Sequence, residues 1–325
     1  YMFNILSLSG GGFLGLYTVS ILAELEKNLG RPIASCFDLM AGTSIGGIIA
    51  LGLAAERPAI DIKSAFEKNG SKIFSDRPAS TGKIRELLEF CSSIQKSKYE
   101  NQELRKTIIE IVGEQTIIGD LKHPVMVPTV NLTKGKPQIF KTPHHSTFVR
   151  DHYLKIVDVA LATSAAPTYF PISEIGDELF ADGGLYANSP DILALHEAEH
   201  FFEVPKKDIQ MLSIGTTTTN FSFSHVGRLN LGVFGWGRRL AQTMISAQQM
   251  DATYILGHQL GDRYMRIDEI LSKDQERDIG LDIATKNAQK TIRGVASGSI
   301  QGNVNDPRLI KILSHRAPQP RFFNI

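Results

Sequence analysis

The sequence is short of cysteine, of net charge and of long apolar runs. Only two of its 325 residues are cysteine, which argues against a disulfide framework or a cysteine metal site and favours a reducing compartment. The formal net charge of +1 gives no overall attraction to nucleic acid, and we expect no DNA or RNA partner. The most apolar stretch, residues 45–55, reaches about half of a bilayer span. No basic-then-apolar signal is visible, so we expect a cytoplasmic protein.

Strand and helix patterns alternate along the chain. The composition, 42% hydrophobic and 21% charged, is typical of a globular protein. Helical patterns separate apolar, strand-like segments at residues 3–9, 36–42, 123–132, 178–184 and 208–216. This alternation predicts an α/β fold with a mainly parallel central sheet and helices on both faces.

The length of the chain suits a single domain covering residues 1–325. The polar segment at about 56–120 is expected to form an insertion or cap on the main sheet. The part at about 238–325 is expected to be mostly helical, with helices at roughly 238–260, 278–297 and 307–314.

A glycine-rich loop follows the first predicted strand. Gly10, Gly12 and Gly15 match G-x-G-x-x-G, the dinucleotide-binding pattern. Glycines let backbone N–H groups converge on an anion, and the next helix adds its positive N-terminal end. The loop therefore predicts an anion site, which holds either a pyrophosphate or a negative charge that develops during a reaction.

A second motif favours the interpretation that the glycine loop stabilises a negative charge that develops during a reaction. Residues 42–46, Gly-Thr-Ser-Ile-Gly, form G-x-S-x-G between an apolar strand and an apolar helix. In a nucleophile elbow this turn exposes the serine oxygen at a helix N-terminus, where negative charge is favoured. Ser44 is thus the predicted nucleophile. The second strand ends in this elbow and not in the acidic residue that a dinucleotide site requires.

A serine nucleophile needs a base. All nine histidines lie downstream of Ser44, and none stands beside glycine in an obvious strand-end loop. Asp182 closes an apolar strand before Gly183 and Gly184, at the sheet edge where α/β proteins place their chemistry, and a carboxylate can accept the serine proton directly. Two alternatives stay open: a Ser-His-Asp esterase, and a non-catalytic module that binds a nucleotide with the glycine loop.

One segment resembles a zinc motif. Residues 196–200, His-Glu-Ala-Glu-His, fit H-E-x-x-H on a helix, with His196 and His200 as ligands and Glu197 as base. No third ligand is apparent, so a polar helix surface is favoured, and we expect neither a metal site nor a catalytic cofactor.

Four ordered motifs together resemble the patatin-like phospholipases: the glycine loop, residues 42–46, residues 162–171, and Asp182 with the segment through residue 190. The resemblance covers roughly residues 3–215. It implies a three-layer α/β/α sandwich, a Ser44–Asp182 dyad without histidine, an oxyanion hole built by Gly10, Gly11 and Gly12, and hydrolysis of acyl esters in membrane phospholipids. In this family the loop usually has the sequence Asp-Gly-Gly-Gly-x-Arg/Lys-Gly. This sequence has Ser9 and Leu14 at the flanking positions, so it lacks the basic residue.

The C-terminal third suggests a lipid contact and a trigger. Residues 221–239 combine aromatic residues with Arg228, Arg238 and Arg239, which suits a lipid interface, a lid, a dimer contact or a core loop. The glycine loop and residues 238–257 are similar to bacterial patatin-like effectors of anti-phage systems. That similarity implies activation by a cyclic dinucleotide of the cyclic GMP-AMP type, work at the inner membrane and homo-oligomers on activation. Arg238 and Arg239 are the candidate nucleotide-binding residues.

Overall fold

The computed structural model describes residues 1–75, 97–217, 230, 236 and 238–323. Within them, eight strands form a single sheet: β1 Phe3–Leu8, β2 Leu39–Gly42, β3 Val125–Asn131, β4 Lys136–Lys141, β5 Ser173–Ile175, β6 Glu178–Asp182, β7 Ile209–Ile214 and β8 Tyr264–Ile267. The order β5-β6-β3-β2-β1-β7-β8 puts β1 near the centre, and β4 pairs with β3. The pairs among β8, β7, β1, β2 and β3 are parallel, whereas β4, β5 and β6 pair antiparallel.

Helices cover both faces of this sheet. In the described residues they are α1 Gly15–Leu29, α2 Ile45–Ala54, α3 Ala59–Ile73, α4 Asn101–Val112, α5 Ile156–Thr163, α6 Gly184–Ala187, α7 Asp191–His200, α8 Arg238–Leu260, α9 Gln275–Asp278, α10 Lys286–Asn303 and α11 Pro307–Ser314. None of them is long and apolar enough to span a bilayer.

Alternation along the strands creates two cores. Successive side chains of a strand point to opposite faces, so Leu6 joins a large cluster with α1 and α2, while Ile5 joins a smaller one with α7 and α8. Two apolar layers on opposite faces of one sheet make the three-layer α/β/α sandwich, and the predicted fold class is confirmed.

The C-terminal part differs in one respect from the expectation. Helices α8, α10 and α11 are present, but β8 lies between α8 and α9 and extends the sheet beyond β7. The predicted insertion at about 56–120 stays a prediction, because residues 76–96 lie outside the described part. Its flanks, α3 and α4, bury Ile62, Phe66 and Ile108 in the large core.

One flank of β3 positions the candidate site. Met126 pairs with Ala41 of β2 and with β4, while Thr129 pairs with Asp182 of β6 and with β4. Since β4 occupies one flank of β3 throughout, β2 and β6 must share the other flank. They run toward each other there and both stop near Pro128, which has no N–H group to leave unpaired at the break.

Candidate active site

Ser44 occupies a strained elbow between β2 and α2. Its backbone angles, φ 56° and ψ −126°, are rare for a residue with a side chain. The turn is tight enough that a methyl group on Gly46 would lie 2.3 Å from the carbonyl oxygen of Leu8. The Ser44 N–H donates to the Thr163 hydroxyl (3.0 Å), which itself donates to the carbonyl of Pro128 (2.7 Å). The elbow is therefore fixed from both sides, and its serine faces the gap between β2 and β6.

Asp182, the last residue of β6, reaches Ser44 across this gap. Its side chain is buried, with 5% of the residue exposed. Burial raises the pKa of this carboxyl to about 6, and hydrogen bonds from the Gly184 N–H and the Ser44 hydroxyl oppose the rise. The Gly184 bond is 2.6 Å long and fixes one carboxylate oxygen. A carboxylate with this pKa is ionised at neutral pH and accepts a proton more readily than an ordinary aspartate.

The glycine loop lies against the serine. A methyl group on Gly10 would stand 3.1 Å from the Ser44 Cβ. Asn188 holds the loop in place: its carbonyl accepts the Gly10 N–H (2.9 Å), and its amide donates to the Gly10 carbonyl (3.2 Å). The hydroxyl of Thr216 donates to the same carbonyl (2.9 Å). This clamp sets the distance between the loop and the nucleophile.

The next two glycines present their N–H groups differently. Within the described residues, no protein acceptor faces the N–H of Gly11 or Gly12, whereas that of Gly10 is engaged by Asn188. Gly12 has φ +54°, and the carbonyl of Leu281, which accepts the Phe13 N–H (2.8 Å), leaves no room for a side chain on it. The N–H groups of Gly11 and Gly12 are therefore available for a ligand and that of Gly10 is not, while the oxyanion hole of Gly10, Gly11 and Gly12 stays a prediction.

Thr163 and Asn188 lie in the motifs at residues 162–171 and 182–190, but the sequence alone assigns neither residue a role. Both are polar residues next to glycine or proline turns at the sheet edge, and that position is the available signal. Thr216 directly follows β7 at the same edge. Each acts through a backbone group that is distant in sequence, so its role appears only in the folded chain.

The structure describes the backbone of the two predicted nucleotide-binding arginines but not their side chains. Arg238 and Arg239 open α8, but their side chains, like Arg228, fall outside the described residues. Of the predicted lipid-contact segment 221–239, only Asn230, Trp236 and the α8 residues at its end are described. No described histidine hydrogen-bonds to Ser44 or Asp182, and His225 is the one histidine that lies outside the description.

The zinc-like motif is used for packing. Glu197 is buried and pairs with Lys141 (2.6 Å) and His144 (3.0 Å). Burial raises its pKa, but the bonds and charges of these two partners outweigh that effect and lower the pKa. The rings of His196 and His200 stack on each other at 5.3 Å. The described residues contain no group of three potential metal ligands.

A strained serine at the carboxyl edge of a sheet covered on both faces places this chain among the serine hydrolases. It belongs to the patatin-like phospholipase family, whose model matches residues 6–195. Three relatives are each named cGAMP-activated phospholipase. The Pseudomonas aeruginosa relative is 43% identical over 99% of this chain and 95% of its own length. The Escherichia coli relative is 38% identical over 92% and 89%, and the Vibrio cholerae relative 39% over 88% and 86%.

Proposed function

We propose that this enzyme hydrolyses acyl esters of membrane phospholipids through Ser44 and Asp182. The single observation that supports this most strongly is that the Ser44 side chain, held on a backbone at positive φ, lies close enough to the buried carboxylate of Asp182 to lower the pKa of that carboxylate. The pairing joins a nucleophile to a base without an imidazole between them.

The chemistry follows from this pair. The Ser44 oxygen attacks the ester carbonyl while its proton passes to Asp182. The tetrahedral intermediate collapses to an acyl-enzyme, and Asp182 returns the proton to the departing lysophospholipid oxygen. Water then attacks the acyl-serine ester, again giving its proton to Asp182, which passes that proton back to Ser44 as the fatty acid leaves.

Negative charge on the carbonyl oxygen develops beside the glycine loop. The N–H groups of Gly11 and Gly12 stand at the turn that leads into α1, whose N-terminal end also favours an anion. A single donor of this kind is worth roughly 10²–10³ in rate. The contact between Gly10 and Ser44 supports this assignment over the dinucleotide alternative, because a pyrophosphate in the loop would compete with the nucleophile for the same space.

We further propose that a cyclic dinucleotide of the cGAMP type switches the enzyme on, in anti-phage defence, and that the active form is a homo-oligomer at the membrane surface. The names of the relatives support the activator. A phospholipase that is always active would attack the membrane of its own cell, so the unliganded state must be weakly active. A shift from about 1% to 99% active needs about 5.5 kcal/mol of differential ligand affinity.

Helix α8 supplies a physical connection for such a switch. Arg238 and Arg239, the candidate nucleotide ligands, begin it. Farther along, Gln248 donates to the carbonyl of Leu185 (2.9 Å) and accepts the Asn188 N–H (3.4 Å). A ligand that shifts the start of α8 therefore acts on the segment between Asp182 and the glycine-loop clamp.

The test is release of fatty acid from phospholipid vesicles with and without cGAMP. We expect little release without the nucleotide, a large increase with it, and none from Ser44→Ala. A matched control is Ser64→Ala, because Ser64 is exposed on α3 and bonds only within its own helix. If fatty acid is released at the same rate with and without every cyclic nucleotide tested, and calorimetry detects no binding, the proposed activation by a cyclic dinucleotide is wrong. The proposed ester hydrolysis would still stand.

A further inference from the structure

Arg266 of β8 places a cation under the glycine loop. Its guanidinium donates to the hydroxyls of Ser213 (2.7 Å) and Ser189 (3.1 Å) and makes longer bonds to that of Ser9 (3.4 and 3.5 Å). It also pairs with Asp268 (2.7 Å). Only 11% of the side chain is exposed. The arginine fork thus contacts three different segments of the chain at the carboxyl edge of the sheet.

Two of these contacts flank the loop clamp. Gly10 and Asn188 are joined by a backbone hydrogen bond of 2.9 Å. Ser9 directly precedes Gly10, and Ser189 directly follows Asn188. The hydroxyls of Ser9 and Ser189 are themselves 3.1 Å apart. A guanidinium that bonds to both hydroxyls fixes the two ends of the clamp together.

The charge of Arg266 also matters, because residues 9–14 carry no charged side chain. Asp191, fully buried, accepts hydrogen bonds from Ser7, Ser189, Ser213 and Tyr264 and lies 3.9 Å from the guanidinium. Burial lowers the pKa of Arg266, but Asp268 and Asp191 outweigh it and raise that pKa. Without the arginine, two carboxylates near the loop would lose their cation. Their negative charge would then oppose the negative charge that must develop at the loop during catalysis.

We propose that Arg266 is the positioning residue of the oxyanion loop, which it orients through Ser9 and Ser189 while its charge offsets the carboxylates of Asp268 and Asp191 beside the loop. This inference rests on the proposed function, since it assigns the geometry of the same site. Lysine would keep the charge but lose the planar fork that reaches three hydroxyls, so charge and orientation are separable by mutation.

The test compares Arg266→Gln and Arg266→Lys with Arg263→Gln. Arg263 bonds to the backbone of Lys206 and Ile209, near the start of β7 and thus at the opposite edge of the sheet. We measure kcat and KM on a soluble ester, the Ki of a trifluoromethyl ketone, which forms an oxyanion on the serine, and the Kd of a non-hydrolysable ether lipid. Melting curves and Ser44→Ala accompany every assay.

Arg266→Gln should lower kcat about 10²-fold, with KM and the ether-lipid Kd within threefold. The ketone Ki should rise by about the same factor as kcat falls, a relation that a purely structural role would not produce. Arg266→Lys should lie between Arg266→Gln and the wild type, and Arg263→Gln should keep the wild-type kcat. A kcat within threefold of wild type in folded Arg266→Gln, or equal weakening of ketone and ether lipid, would overturn the proposal.

Ser9→Ala keeps the test decisive if both Arg266 variants fail to fold, because it removes one hydroxyl and no charge. It should lower kcat about fivefold without changing KM, and unchanged kcat would reject the proposal. Activity retained by Ser44→Ala would instead show that the proposed function is wrong, whatever Arg266 does.

Discussion

Ser44 and Asp182 approach each other from opposite directions along the same flank of β3, one just beyond β2 and the other at the last residue of β6. The backbone of the sheet thus sets their distance. The Gly184 N–H fixes the carboxylate and the Thr163 hydroxyl fixes the elbow. A base held this firmly needs no third residue to orient it.

Loss of either member of the pair should cost about the same activity. Ser44→Ala and Asp182→Asn should each lower kcat by about 10³-fold or more, and the double variant should be no worse than either one, because the two groups act as a unit. Steady-state kinetics on a soluble ester measure this. Full activity in Asp182→Asn, with loss in one histidine variant, would indicate the Ser-His-Asp alternative.

The activity should rise with pH through the titration of Asp182. Burial raises the pKa of this carboxyl to about 6, and the protonated form cannot accept the serine proton. The profile of kcat/KM should therefore increase to a plateau with a midpoint near pH 6. A flat profile from about pH 5 to pH 8 would contradict Asp182 as the base.

Ionised Asp182 should lower the stability of the folded chain. Its pKa in the folded state is about 6, against an ordinary value of 3.8. The contribution of Asp182 to the free energy of unfolding is therefore fully present below pH 3.8 and is lost as the pH rises through about 6. The difference corresponds to about 3 kcal/mol. Asp182→Asn should melt higher than wild type at about pH 8, and the two should converge at about pH 4. A lower melting temperature for Asp182→Asn at the higher pH would contradict this.

Gly12 should be far less tolerant of a methyl group than Gly30. Both have positive φ, but the position next to Gly12 is filled by the Leu281 carbonyl oxygen at 2.2 Å, whereas nothing lies within 4 Å of Gly30. Gly30→Ala should cost roughly 1 kcal/mol and keep kcat. Gly12→Ala should lower kcat about 10²-fold as its N–H moves. Equal kcat values for the two variants would exclude Gly12 as an oxyanion donor.

Chelators should leave turnover unchanged. Glu197 is committed to Lys141 and His144, so it is not free to serve as a metal-site base. Glu197→Gln should instead lower the melting temperature, because it leaves the partly buried Lys141 without its carboxylate. Activity that disappears with a chelator and returns with zinc would restore residues 196–200 as a site.

The fold and the elbow of Ser44 were predictable because their signals are local, whereas the pairing of Asp182 with Ser44 was implied only by the resemblance to a family. A short strand, a glycine turn and a helix that follow one another directly define the elbow of Ser44, and Asp182 stands between a strand and two glycines. The turn between β3 and β4 contains Gly135, whose φ of +61° favours glycine.

Other features depend on contacts that the sequence does not show. The helix predicted at 278–297 begins instead at Lys286, because Thr285 caps it by accepting the Ala288 N–H (3.1 Å). The residues before it include a turn at Leu281 and Asp282, where the carbonyl of Leu281 accepts the Phe13 N–H of the glycine loop. Arg266 lies in β8, a strand that the sequence pattern did not indicate, and the contacts of its side chain follow only from the pairing of β8 with β7.

The covalent bond that the nucleophile forms can be located directly. The protein, activated with cGAMP, is treated with a fluorophosphonate, digested and analysed by mass spectrometry, with Ser64→Ala and Ser44→Ala in parallel. We predict one adduct, on Ser44, unchanged in Ser64→Ala, absent in Ser44→Ala and formed much more slowly in Asp182→Asn. An adduct on another residue, or undiminished labelling of Ser44→Ala, would contradict the claim that Ser44 is the nucleophile.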